Sequence, residues 1–188
     1  MILRKAFVVL FAVFVLAGSA FAAEVEGVKL PDAANAGGQD LTLNGAGQKN
    51  TLGFGVYVGA LYLKEKSGDG AAILAADEPM EVKMVITSSM VNADNMKSGF
   101  KDAFKECATS DLAPLKAKID AFAGTFKEVN EGDVFDLAYV PGKGVEVSRN
   151  GKASGVIEGL DFKKALYGIW VGDKPIQKDL KTKMLGKK

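Results

Sequence analysis

Residues Asn44–Leu63 read NGAGQKNTLGFGVYVGALYL. The stretch opens on a glycine-rich corner, Asn44-Gly45-Ala46-Gly47, and runs into β-branched and aromatic residues. Strand alternation places Phe54, Val56, Val58, Ala60 and Tyr62 on one face and Gly55, Tyr57, Gly59, Leu61 and Leu63 on the other. On the second face a tyrosine stands between two residues without side chains. That leaves room beside a hydroxyl, which a ligand could use, and Lys49 supplies a positive charge just upstream. The same two glycines also fit a plainer reading, as bends or bulges in a twisted strand.

Upstream of this stretch, residues 1–22 read as a cleavable export signal. Arg4 and Lys5 precede an apolar run, Ala6–Ala17, too short to span a bilayer as a helix. Ala20-Phe21-Ala22 supplies the small residues of a cleavage site after Ala22. Residues 23–188 then form one domain, long enough to bury its own core. The expected location is the periplasm. Cleavage takes two of the 24 basic residues and none of the 23 acidic ones, leaving a net charge of −1. That balance argues against a nucleic-acid surface. With Cys107 as its single cysteine the chain has no internal disulfide. With no histidine, Ser-His-Asp and Cys-His chemistry is excluded, and the commonest metal ligand is missing. The residues call for no cofactor and no metal.

In chain order, Val25–Leu30 is a short strand and Ala33–Gly38 a small-residue loop. Asp40–Asn44 pairs through the glycine corner with the long strand, and Ala71–Ala76 is a helical turn. Met80–Thr87 alternates as a half-buried strand. Apolar spacing then becomes helical through Met96, Phe100, Ala103, Phe104 and Cys107, with Asn92 or Asp94 as cap. A second helix, capped by Ser110 or Asp111, carries Leu112, Leu115, Ile119, Phe122 and Phe126. Three meander strands follow between Val134 and Ile157, the last two joined at Asn150-Gly151. Two helices end the chain, one lined by Phe162, Leu166, Ile169 and Trp170, the other by Ile176, Leu180 and Met184. The pattern predicts an α+β fold, an antiparallel sheet with helices gathered on one face. Phe100, Phe104 and Phe122 are core by default and line a pocket only where the sheet stands off from the helices. Gly45-Ala46-Gly47 lacks the ending of a phosphate loop and reads as a turn.

Three motifs in order carry a resemblance: Gly45-Ala46-Gly47 leading into Val56–Leu63, Gly132-Asp133-Val134 with Tyr139-Val140-Pro141-Gly142, and Ile169–Ile176. With them the chain, from about Val25 to Leu185, resembles the chalcone isomerase-like family, and its exported bacterial branch more than the plant enzymes. The resemblance implies an open-faced β-sandwich, a large antiparallel sheet covered by a helical layer, with a ligand cleft between them. In plant isomerases of the family an arginine after the glycine corner steers cyclisation of a chalcone. In non-catalytic members an arginine and a tyrosine hold a fatty-acid carboxylate. By motif these positions fall on Lys49 and Tyr57. Lysine is a flexible point charge where arginine presents a planar fork, so it can neutralise a carboxylate but orients one poorly. The expectation is therefore a binding protein for an amphipathic acid, using Lys49, Tyr57, Gly55, Gly59, Phe100, Phe104 and Phe122. Two alternatives stand beside it: an intramolecular lyase acting on a chalcone-like enone through Lys49 and Tyr57, and a ligand-free protein-interaction module.

Overall fold

A computed structural model describes residues 21–187, so nearly all of the export signal expected over residues 1–22 lies outside the described residues. Two strands, β1 (Phe21–Val25) and β2 (Val28–Pro31), form a separate hairpin. Seven more make one antiparallel sheet in chain order: β3 (Ala33–Ala36), β4 (Gln39–Thr51), β5 (Phe54–Leu63), β6 (Met80–Ile86), β7 (Val134–Val140), β8 (Gly144–Arg149) and β9 (Lys152–Ile157). The sheet curls as a half-barrel. Five α-helices accompany it among the described residues, with a 3-10 turn at Ala113–Leu115 before the third: α1 (Gly70–Ala75), α2 (Ala93–Cys107), α3 (Lys116–Gly124), α4 (Leu160–Val171) and α5 (Lys178–Met184). The α+β architecture predicted from periodicity is the one observed.

Several local readings need correction. The segment 33–38 holds a strand, β3, rather than a loop. Its alanines and asparagine have little strand preference of their own, and pairing with β4 decides their state. Val25–Leu30 is split between two strands by a tight turn at Glu26-Gly27. The glycine corner is no corner: β4 runs unbroken from Gln39 to Thr51, and the chain reverses at Leu52-Gly53. Gly45 and Gly47 serve instead to admit α5. A Cβ on Gly45 would stand 2.1 Å from the Lys183 carbonyl oxygen, and one on Gly47 would stand 3.0 Å from Lys183 Cβ. Asn44, bulged out of the β4–β5 ladder, fastens the same crossing. Its Nδ2 donates to the Met184 carbonyl at 2.8 Å, and its Oδ1 accepts from the Ser67 N–H at 2.8 Å.

The sheet has two apolar faces. Tyr57, Leu61, Val82, Met84 and Leu137 meet the helices in the main core. Val58, Ala60 and Tyr62 face the other way, onto a smaller cluster with Leu30 and Leu41. A phenylalanine cluster anchors the helical layer. Phe100 stacks on Phe126 at 5.2 Å between ring centroids and meets Phe122 edge-on at 4.9 Å. Such pairs add about 0.5–1.5 kcal/mol each beyond their burial. Lys163 lies fully buried on α4. Its ammonium donates to the carbonyls of Ile73, Leu74 and Ala76, at 2.6, 3.1 and 2.8 Å, closing the C-terminal end of α1.

Candidate functional site

The sheet does stand off from the helices, at the end where β4 and β5 reach their shared turn. A cavity of about 540 Å³ opens there between β5, β6 and α2. That is within the range of small-molecule sites, about 300–1,000 Å³. One wall is a helical stripe, Met96, Gly99, Phe100 and Ala103, whose spacing puts all four on one face of α2. Val56, Met84, Ile169 and Ile176 add apolar surface. A second cavity, of about 580 Å³, lies at the other end of α2 beside Cys107, Asp111, Asp161 and Lys164. Its walls are more polar: Asp161 is already paired with Lys118 at 2.7 Å, Asp111 accepts from the Ala113 N–H at 2.9 Å, and Lys164 and Asp173 are exposed. We therefore place the candidate site in the first.

Tyr57 and Lys49 sit directly across from each other in the β4–β5 ladder, so both side chains rise from one face of the sheet, and both line this cavity. Tyr57 is buried. Its hydroxyl accepts a hydrogen bond from Trp170 Nε1–H at 2.9 Å, the one hydrogen bond it makes among the described residues. The phenolic proton is left to be donated. Burial pushes the Tyr57 pKa well above the ordinary tyrosine value, the Trp170 bond opposing it, so the group remains a donor throughout the working pH range.

Lys49 lies at the mouth. Its ammonium donates to the Asn50 carbonyl at 2.5 Å and to Thr51 Oγ1 at 3.2 Å. An ammonium has three donors, so one remains. Among the described residues Lys49 has no ion pair. Partial burial lowers its pKa, opposed by the more distant charge of Glu106.

The structure brings together three of the predicted residues, Lys49, Tyr57 and Phe100. Four others do not line the cavity. Phe104 and Phe122 pack on each other and on Phe162 in the core. The space at Gly59 is taken: a Cβ there would meet Tyr57 Cε2 at 3.3 Å and Met184 Sδ at 3.8 Å. Gly55 faces elsewhere. Lys49 pairs with Tyr57 and Asn50 with Gly55, which leaves Val56 as an extra residue in β5. Such a bulge reverses the faces of everything beyond it. A Cβ on Gly55 would strike the Gln48 carboxamide, while Phe54, expected on the opposite face from Tyr57, turns to the cavity beside Thr51. The open volume thus comes from the stand-off of α2 from the sheet, not from missing side chains around Tyr57. Trp170, read from sequence only as part of a helix's apolar lining, proves to be the hydrogen-bond partner of Tyr57. Among the described residues no cluster of acids and cysteine is arranged to hold a metal.

A family model described as chalcone isomerase-like matches residues 22–186. No curated protein matches the sequence. Among solved structures the fold is similar to a crystal structure of an Arabidopsis thaliana fatty-acid binding protein. The TM-score is 0.65 at 19% identity, covering 85% of this chain and 92% of the other. At that identity the likeness speaks for the fold alone.

Proposed function

The chain belongs to the chalcone isomerase-like family, and on that premise we propose that it is a non-catalytic carrier of a fatty acid or similar amphipathic carboxylate. Lys49 serves as counter-ion to the head group and the Tyr57 hydroxyl donates to it. The tail lies along Met84, Met96, Phe100 and Ile169. One observation carries this reading: a lysine without a carboxylate partner among the described residues and a tyrosine whose hydroxyl proton is unspent line one apolar cavity. Each methylene buried in it contributes about 0.8 kcal/mol, so the tail can supply most of the affinity. The fold shared with a fatty-acid binding protein agrees with this. The sequence of residues 1–22, read as an export signal, supports the periplasm as the carrier's place of work.

The test is calorimetric titration of delipidated protein with palmitate and with hexadecanol, which shares the chain but lacks the charge. Tight palmitate binding, with much weaker hexadecanol binding, supports the reading; equal affinity for the two, or no binding, refutes it. Chalcone absorbance should decay in the presence of the protein at the rate of buffer alone, since the flexible Lys49 replaces the preorganised fork that a developing oxyanion needs.

A further inference from the structure

The mouth of the cavity is rimmed by exposed apolar side chains. Leu52 is 93% exposed, Met90 65% and Phe54 64%, and all three line the opening. Val156 on β9 completes the exposed large hydrophobics among the described residues.

Leu52 is out of place on two counts. It occupies the first position of a two-residue hairpin with φ +51°, followed by Gly53 at +84°. That left-handed geometry suits asparagine, and a γ-branched apolar residue resists it. The chain uses the favoured pair elsewhere. Asn150-Gly151 turns β8 into β9 with φ of +51° and +74°, and Glu26-Gly27 turns β1 into β2 at +48° and +78°. Gly37-Gly38 turns β3 into β4 at +58° and +81°, so four hairpins among the described residues share one backbone conformation, and only the hairpin at the cavity mouth carries a hydrophobe. Neither backbone preference nor burial explains a leucine there.

The two segments that build the rim carry charge of one sign only. Residues 48–56 and 87–93, which build the rim, contain no carboxylate, and their single charged residue is Lys49. Gln177 joins the neighbouring segment to this rim. It accepts from the Asn50 N–H at 3.0 Å and donates to the Gln48 carbonyl at 3.3 Å. On either side of it stand Lys174 and Lys178, exposed and without an ion pair among the described residues. Acids stand further around: the Glu106 charge reaches Lys49, Asp179 is engaged by Lys183 at 2.9 Å and Asp94 by Lys97 at 3.7 Å, while Asp173 lies exposed beside Lys174.

Apolar side chains projecting from a hairpin tip, with lysines around them, are the two signals that together hold a protein on an anionic bilayer. We propose that Leu52, Phe54 and Met90 dock on an anionic lipid bilayer, with Lys174 and Lys178 against its headgroups, so that the cavity opens onto the lipid. This rests on the carrier reading for its purpose, since an amphipathic ligand would then pass between bilayer and cavity without crossing water. Its test does not require that reading.

The experiment is flotation of ligand-free protein with vesicles of phosphatidylcholine, with and without phosphatidylglycerol. Wild type should float with the anionic vesicles, and added salt should reduce the bound fraction. Leu52→Asn restores the favoured Asn-Gly turn, so its melting temperature should match or exceed wild type. Its vesicle partitioning should nevertheless fall about tenfold, as should that of Met90→Ser. Lys174→Gln with Lys178→Gln should lose binding to anionic vesicles selectively. Val156→Ser should float like wild type. Absence of flotation with either vesicle overturns the proposal. So does equal flotation of Leu52→Asn and wild type, or a wild-type dimer that Leu52→Asn dissolves while neither floats, because the rim then meets a second copy. Flotation of a protein that binds no palmitate would refute the carrier reading and leave the docking surface standing.

Discussion

Trp170 Nε1–H donates to the Tyr57 hydroxyl at 2.9 Å, linking α4 to the middle of the sheet across 113 residues of sequence. The bond has a direction. It occupies an acceptor site on the phenol and leaves the phenolic proton to be donated by a residue that lines the cavity. Trp170→Phe keeps an aromatic ring in the core but removes this N–H. Palmitate affinity should fall several-fold, and stability by about 1–3 kcal/mol, measured by titration and denaturant unfolding.

Lys49→Arg and Lys49→Met separate charge from geometry. A guanidinium can grip both carboxylate oxygens, so Lys49→Arg should hold palmitate at least as well as wild type. Lys49→Met keeps the apolar stem without the charge, and should lose about tenfold in affinity, equivalent to about 1.4 kcal/mol. Both effects are read by calorimetry at low salt.

Gly45→Ala tests the crossing of α5 over β4. Its Cβ would lie 2.1 Å from the Lys183 carbonyl oxygen, a backbone atom that cannot rotate away. The helix must lift, at about 1–3 kcal/mol or more. The melting temperature should drop, and protease should cut the C-terminal segment first. Gly151→Ala, with open space around its Cβ, should leave that segment protected and cost only the strain of its φ of +74°.

Asp133 governs the acid limit of the meander. Burial would raise its pKa, but hydrogen bonds from Asn150, Arg149 and the Asn130 N–H outweigh it and hold the carboxyl below its ordinary value. A depressed folded-state value means that the unfolded chain takes up the proton first. The contribution is therefore whole above the unfolded pKa, about 3.9, and is lost as pH falls through the folded one. Asp133→Asn should be less stable than wild type at neutral pH, and the gap should narrow in acid, as followed by unfolding at a series of pH values.

The architecture was legible because it is written locally. Alternation in Met80–Ile86 and helical spacing in Ala93–Cys107 each declare their period within one element, and Asn92 caps α2 as its position suggested. What stayed hidden depends on distant partners. Gly45 and Gly47 look like a turn until α5 is seen lying on them. The pairing of Lys49 and Tyr57 on one cavity wall follows from strand register and was within reach. The bulge at Val56 was not, and it turned Gly55 away and brought Phe54 in. Trp170 could have been found from the buried position of Tyr57, since a phenol on a core face demands a polar partner. Nothing local says which donor supplies it.

The central claim is that a carboxylate sits between Lys49 and Tyr57. The most direct measurement is the NMR signal of carboxyl-labelled palmitate added to delipidated protein. The account predicts one shifted, slowly exchanging resonance. It should remain ionised below the pH at which the free acid protonates, because a cation and a donor favour the charged form, and it should disappear in the Lys49→Met, Tyr57→Phe double variant. A spectrum showing only free palmitate, or a bound resonance that the double variant leaves unchanged, would contradict it.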